Sequence, residues 1–146
     1  SLDMLKVKLK KRIQHGHERR LLAPFREEFV GLEEPHDALE VLERSLPYLP
    51  YHGSLGEMVL SVGKTVYLYE KGVDGIIDIS PFTCMNGIIC ESVYPKVSRD
   101  CDNLPIRNFY FDGTQSDLEN DLGIFMELVH NYHRRKLRKR VRRTAA

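Results

Sequence analysis

Apolar positions recur along this chain with the period of helices more often than with that of strands. Leu5, Leu9 and Ile13 repeat at helical spacing among Lys6, Lys8, Lys10, Lys11 and Arg12. They predict one or two helices over residues 3–30, with Gly16 and Pro24 as breaks. Pro35 fits the first turn of a helix through about Arg44, with Leu39, Leu42 and Leu46 on one face. Pro47 and Pro50 end it. Ser54-Leu55-Gly56-Glu57 reads as a capping box, in which the Ser54 hydroxyl and the Glu57 carboxylate satisfy each other's backbone amides. Leu55, Met58, Val59, Val62, Val66 and Tyr69 then share a face, and Gly72 is a terminator.

The period changes at Gly75-Ile76-Ile77-Asp78-Ile79-Ser80, a short Ile-rich run with the character of a buried parallel strand, ended by Pro81. Thr83 to about Val97 returns to helical spacing, with Thr83 or Cys84 at its start and an apolar stripe of Ile88, Ile89, Val93 and Val97. A second strand, Pro105 to Phe111, closes at Asp112-Gly113. A second capping box, Ser116-Asp117-Leu118-Glu119, opens a long helix carrying Leu118, Leu122, Phe125, Leu128, Val129 and Tyr132. Crossovers of this length favour parallel strands with helices on the sheet faces. The fold expected is α/β: a layered, Rossmann-like domain with short parallel strands and flanking helices, as a fragment of a larger protein. The chain divides by pattern into an N-terminal helical segment (1–47), the α/β domain (48–133) and a tail (134–146). Ser1-Leu2-Asp3 ahead of Met4 reads as a segment cut from a longer polypeptide.

Length and composition narrow the class. With 146 residues and 42% hydrophobic content, the chain is about one domain and can bury a core. No apolar run approaches the ~20 residues of a membrane helix, and no secretory leader pattern is present. Three cysteines do not make a disulfide framework, which points to a reducing, cytoplasmic setting. The net charge of +1 conceals an asymmetry. Residues 134–143 hold eight cations: Arg134, Arg135, Lys136, Arg138, Lys139, Arg140, Arg142 and Arg143. Residues 1–133 hold 14 basic and 21 acidic residues, a balance of −7.

Ligands of open parallel sheets collect beyond the carboxyl ends of the strands. Ser80-Pro81-Phe82-Thr83-Cys84-Met85-Asn86-Gly87 and Asp112-Gly113-Thr114-Gln115 arrive there. Cys84 lies just past a strand and at a helix start, where free amides and the helix dipole favour a thiolate, the state required of a nucleophile or an iron ligand. The same position also suits a small residue filling a tight turn. Asn86 and Gly87 let backbone approach a bulky group. Cys90 points about 240° away from Cys84 around the helix and reads as core. Cys101, in the polar loop Arg99-Asp100-Cys101-Asp102-Asn103, reads as an exposed thiol. The three lack the paired spacing of a zinc site. A single cysteine holds no [4Fe–4S] cluster, so any cluster draws further cysteines from outside this segment.

The run Gly72-Val73-Asp74-Gly75-Ile76-Ile77-Asp78-Ile79-Ser80-Pro81-Phe82-Thr83-Cys84-Met85-Asn86-Gly87 resembles the "GvDGii…PF.CMPG" stretch of 2-hydroxyacyl-CoA dehydratases and CoA-substrate-specific enzyme activase-related proteins. Leu104 to Gly113 is similar to their "iPfl.l.fDG" strand, and Gly56-Glu57-Met58-Val59-Leu60 with Gly63-Lys64 to their "GE…l..Gk" helix. Glu127 falls near their "R.EAF" helix, without its Arg or its order. The resemblance spans residues 48–133. It implies that Cys84 is one ligand of an iron–sulfur cluster of [4Fe–4S] type whose other ligands come from a preceding domain of similar fold. It also implies ATP-driven one-electron chemistry on CoA thioesters, or related low-potential reductions, with a possible ATP site elsewhere in the parent protein. The partners it implies are the other domains of the same polypeptide or a dehydratase or activase subunit. Asn86 stands where that family has Pro, and the basic tail lies outside the pattern.

Other residues admit plainer roles. Glu57, Phe82, Asn86, Gly87 and Asp112 are candidates for lining a cleft beside Cys84, while the capping box alone accounts for Glu57, and Asp112 could equally cap its turn. No catalytic side chain stands out. Asp74 and Asp78 read as turn and edge residues, and His15 and His17 as a solvated turn. His130 and His133 share a helix face without a third metal ligand. Tyr48, Tyr51 and His52 read as loop packing. The tail offers an alternative function, a non-catalytic interaction module binding nucleic acid or another polyanion. It has no aromatics for base stacking, and its charge also suits a helix C-terminus. No membrane partner is expected.

Overall fold

In the computed structural model the described residues are 2–28, 30–31, 35, 37–54, 56–113 and 117–144, with side chains described as far as Lys139. Leu55, the Ser116 capping box, Thr114, Gln115 and the side chains of Arg140, Val141, Arg142 and Arg143 lie outside them. The chain forms two compact units, Ser1–Glu34 and Pro35–Ala146, a division earlier than the expected 47/48 boundary.

The first unit is helix α1 (Leu2–Leu22) followed by a 3-10 turn, Ala23–Phe25. α1 runs unbroken through Gly16, a single glycine costing a helix only about 1 kcal/mol. It ends just before Pro24, whose ring fits the turn that follows. No residue of α1 is buried.

The second unit opens with α2 (Ala38–Ser45). Its N-cap is Asp37, whose side chain accepts from the Leu39 amide at 3.1 Å, so the helix starts after Pro35 rather than at it. Its buried positions are Val41 and Ser45, not the expected leucine stripe; Leu39 and Leu46 are exposed. α3 (Met58–Lys71) crosses it closely at Gly63, where a Cβ would meet the Val41 carbonyl oxygen at 2.0 Å. The expected capping box at Ser54 does not cap α3. The Ser54 hydroxyl donates to the Pro50 carbonyl instead, and the helix begins at Met58 with Glu57 as an uncapping N-cap. Gly72 ends α3 as expected, in the left-handed conformation (φ 94°), with its amide on the Leu68 and Tyr69 carbonyls.

β1 (Ile76–Pro81) and β2 (Ile106–Phe111) pair in parallel, Ile76 with Ile106 through Pro81 with Phe111. The parallel pairing follows from the crossover α4 (Met85–Asp100) between them. Alternation puts Ile76, Asp78 and Ser80 on one face with Ile106, Asn108 and Tyr110. That face meets α4, where Tyr94 donates to Asp78 at 2.7 Å and a Cβ on Gly87 would meet Ser80 Oγ at 2.5 Å. The α4 stripe is rotated from the expected one: Gly87, Cys90, Tyr94 and Val97 are buried and Ile88 is exposed. α4 continues past Val97 and contains Pro95, which removes one helical bond without ending the helix.

α5 (Leu118–Thr144) lies on the opposite sheet face. Phe125 meets Phe109 edge-on at 6.5 Å, Arg107 reaches Asp121 at 3.1 Å, and a Cβ on Gly75 would meet Val129 at 2.5 Å. Only Phe125 and Tyr132 are buried among the expected apolar positions of α5; Leu118, Leu122 and Leu128 are exposed. The helix runs on into the basic tail, as expected. The core gathers Val62, Ile76, Cys90, Tyr94, Val97, Cys101, Leu104 and Tyr132. The architecture is mixed α/β with a two-stranded parallel sheet. Among the described residues no helix is long and apolar enough to cross a membrane.

Candidate functional site

The carboxyl end of the parallel pair leads through residues 80–87 at the end of β1 and into Asp112-Gly113 after β2. β1 ends at Pro81, and the Phe82 amide bonds the Phe111 carbonyl at 2.9 Å, holding the two strand ends together. The Cys84 amide then turns back to the Pro81 carbonyl at 3.1 Å. Between them Thr83 has φ 65°, a left-handed backbone that a β-branched residue rarely adopts. This turn sets Cys84 as the N-cap of α4, and the first helical bond runs from the Ile88 amide to the Cys84 carbonyl at 3.1 Å. The amides of the intervening turn lie at the helix end beside the cysteine.

Cys84 is partly exposed, whereas Cys90 and Cys101 are buried. Cys90 is core, as its angular position requires. Cys101 is not the exposed loop thiol expected from its polar neighbours. It is the C-cap of α4 and 3% exposed. Asp102 and Asn103 both take the left-handed conformation (φ 58° and 59°) and fold the chain back, so Cys101 points inward while its polar flanks stay in water. Burial first, then the Asp100, Glu70 and Asp102 carboxylates, push its thiol up to about 11.

The candidate cleft residues divide. Gly87 is buried against Ser80 and Tyr110 and serves helix-to-sheet packing. Asn86 lies against Gly56, where a Cβ would meet its Oδ1 at 2.3 Å, and that oxygen is buried with no hydrogen-bond partner. The start of α3 and the start of α4 are thereby neighbours. Glu57, Phe82 and Asp112 are exposed, Phe82 at 62%. Among the described residues no cluster of three His, Cys, Asp or Glu side chains is arranged for a metal ion.

The basic tail is engaged with the body of the second unit, which its composition did not reveal. Lys136 donates to the Gly72 and Val73 carbonyls at the end of α3 and to Asp74 at 2.7 Å. His133 also reaches Asp74, at 2.7 Å. Burial raises the Asp74 carboxyl, but the bonds from Lys136 and His133 outweigh it and hold the group below its ordinary value. Arg135 donates to the Asp102 carbonyl at 3.2 Å, and Lys139 to the Asp102 side chain at 3.1 Å. These cations sit at the C-terminal ends of α3 and α4, where helix dipoles favour positive charge. They line a cleft of about 300 Å3 together with Tyr69 and Tyr132. Burial and the bond to Asp102 push Tyr69 up to about 12. Asp74 and Asp78 are likewise more than turn residues: Asp78 accepts from Tyr94 and from Asn108 at 3.3 Å, a polar bridge inside the sheet–helix interface.

No family model, curated protein or solved structure matches this chain.

Proposed function

We propose that this chain is the carboxyl-terminal domain of an iron–sulfur protein related to 2-hydroxyacyl-CoA dehydratases and their activases. Cys84 contributes one ligand to a cluster of [4Fe–4S] type at a seam with another domain or subunit. The observation that carries this reading is the placement of Cys84. It is the one partly exposed cysteine, at a strand–helix junction on the carboxyl end of a parallel sheet. The neighbouring backbone fits a donor role: Thr83 is held in an unusual conformation and Gly87 brings α4 tightly onto Ser80, so the thiol is presented by a rigid turn. When bound, such a cluster supplies reversible one-electron transfer at low potential. In this reading the parallel pair belongs to a layered, Rossmann-like sheet, and the setting is cytoplasmic. The chain's own part is to fix one thiol and to exclude Cys90 and Cys101 from the site.

The polyanion-binding alternative has less behind it. Arg135, Lys136 and Lys139 are already bonded to helix ends and carboxylates.

Anaerobic reconstitution with iron and sulfide, in a polypeptide extended upstream of residue 1, tests the reading. Iron content and visible absorbance are expected to fall sharply in Cys84→Ala. Equal iron and absorbance in that variant would refute the assignment. The 146-residue chain alone is expected to remain colourless.

A further inference from the structure

The cleft under the basic end of α5 lies at the amino end of the parallel pair, opposite Cys84. Gly72, Val73 and Asp102 reach it from the turns that lead from α3 into β1 and from α4 toward β2. Tyr69, Tyr132, Arg135 and Lys139 are among its walls, around about 300 Å3. That volume suits a small molecule rather than a macromolecule.

Each carboxylate around this cleft has a cation of its own. Glu70 pairs with Arg44 at 2.8 Å, Asp74 with Lys136 at 2.7 Å and Asp102 with Lys139 at 3.1 Å. Arg135 is left over. Among the described residues its guanidinium meets no carboxylate. Nη2 donates to the Asp102 and Asn103 carbonyls at 3.2 and 3.4 Å, and Nη1 and Nε have no acceptor. The guanidinium stands 5.2 Å from the centre of the Tyr132 ring. Tyr132 is 5% exposed, yet its hydroxyl makes no hydrogen bond among the described residues. Nor is that oxygen sealed in protein: among the described residues, the one fully enclosed side-chain oxygen without a partner belongs to Asn86. The Tyr132 hydroxyl therefore opens onto the cleft that its side chain lines. Burial raises this phenol above its ordinary value, so at neutral pH it keeps its proton and can donate.

We propose that this cleft binds one small oxyanion, the carboxylate or phosphate group of a small molecule, between the Arg135 guanidinium and the Tyr132 hydroxyl. Both groups are donors, and both have donor capacity that no protein acceptor uses. A planar guanidinium offers fixed N–H groups that a carboxylate or phosphate accepts well. The helix ends nearby do not oppose the anion, because their carbonyls are covered. Lys136 takes those of Gly72 and Val73, and Arg135 takes those of Asp102 and Asn103. A polyanion does not fit the same features. Lys136 and Lys139 are spent on Asp74 and Asp102, which leaves one unpaired cation among the lining residues. The site lies at the other end of the sheet from Cys84 and does not depend on an iron cluster.

Nuclear magnetic resonance titration of the isotope-labelled chain with inorganic phosphate and, separately, with acetate tests this. Ionic strength is held low and constant, because exposed charges are screened by salt. Amide shifts at Tyr69, Val73 and Asp102 are expected to saturate with a dissociation constant of about 1 mM for the preferred anion. Which anion is preferred tells phosphate from carboxylate. Tyr132→Phe keeps the ring in the core and removes the donor alone, and is expected to weaken binding about tenfold. Arg135→Gln is expected to weaken it at least as much. Arg134→Gln removes a neighbouring cation that is bonded to Asn131 at 2.6 Å, and is expected to leave binding unchanged. Circular dichroism checks the fold of each protein. Cys84→Ser is expected to bind as the parent does, which separates this inference from the iron-ligand reading. Three results would each overturn it: no saturable shift with either anion up to about 10 mM, undiminished binding in Tyr132→Phe, or equal weakening by Arg134→Gln and Arg135→Gln. The last would show attraction by net charge alone.

Discussion

Gly63 and Gly123 occupy helix interiors, yet the same substitution should move stability in opposite directions. At Gly63 a methyl group would meet the Val41 carbonyl oxygen at 2.0 Å and its carbon at 2.9 Å. Backbone atoms have no rotamer to escape into, so α2 must retreat from α3 by more than 1 Å, relative to an ordinary contact of about 3.5 Å. Overpacking of this kind costs about 1–3 kcal/mol or more. The displacement also disturbs what the crossing holds, including the 2.8 Å bond from Arg44 to Glu70 and the Arg44 guanidinium 5.3 Å above the Tyr67 ring. Against this stands about 1 kcal/mol of helix propensity gained by Gly→Ala. The expected net loss in Gly63→Ala is about 2 kcal/mol. At Gly123, on α5, a Cβ meets nothing within 4 Å, so only the propensity gain of about 0.5–1 kcal/mol remains. For a unit of this size about 4 °C of Tm accompanies each kcal/mol. Thermal melts should thus show Gly63→Ala about 8 °C below the parent and Gly123→Ala about 3 °C above it. Urea denaturation at unchanged slope checks that both effects are on stability. A Gly63→Ala protein as stable as the parent would show that α2 and α3 do not cross as closely as described.

Two further outcomes can be measured directly. In alkylation mapped by mass spectrometry near pH 7.5, Cys84 should react first. Cys90 and Cys101 should stay protected until denaturant is added, because both are buried and burial raises both thiols; labelling of Cys101 at the rate of Cys84 would contradict this. The Asp74 carboxyl, depressed in the folded state, contributes stability above its unfolded pKa of about 3.9 that is lost as pH falls through its lower folded value. Asp74→Asn should therefore lose about 1 kcal/mol at pH 7 and show a shallower acid limb below about pH 4. Equal acid limbs in the two proteins would disprove the role of the Lys136–Asp74–His133 cluster.

What was legible in the sequence was mostly local. The Ile-rich strand, the Gly72 terminator and the strand-end position of Cys84 each depend on a few adjacent residues, and each appears where expected, although the strand includes Pro81 and Ile77 and Ile79 are exposed where a buried strand was expected. Failures arose where a distant partner decided the outcome. Ser54 and Glu57 have the spacing of a capping box, but the hydroxyl found the Pro50 carbonyl. The leucines of α2 promised a face that Val41 and Ser45 took, because α3 packs at Gly63 and leaves Leu39 outside. Cys101 sits in a run of charged residues, and only the left-handed pair Asp102 and Asn103 turns it into the core. In the tail, composition gave the charge, but the carbonyls at Gly72 and Asp102 that receive it lie more than thirty residues away in sequence.

That separation has a bearing on how the molecule is made. Lys136 fastens to Gly72 across 64 positions, and Tyr132 fills a core otherwise built from residues 62–104. A nascent chain leaving the ribosome has both strands and α3 in the open before α5 has been synthesised. Until then Ile76, Val97 and Leu104 lack one wall, and long-range closures of this kind are the slow ones. The half-finished protein is consequently the form most in need of a chaperone, and the arrival of Lys136 marks the end of that exposure.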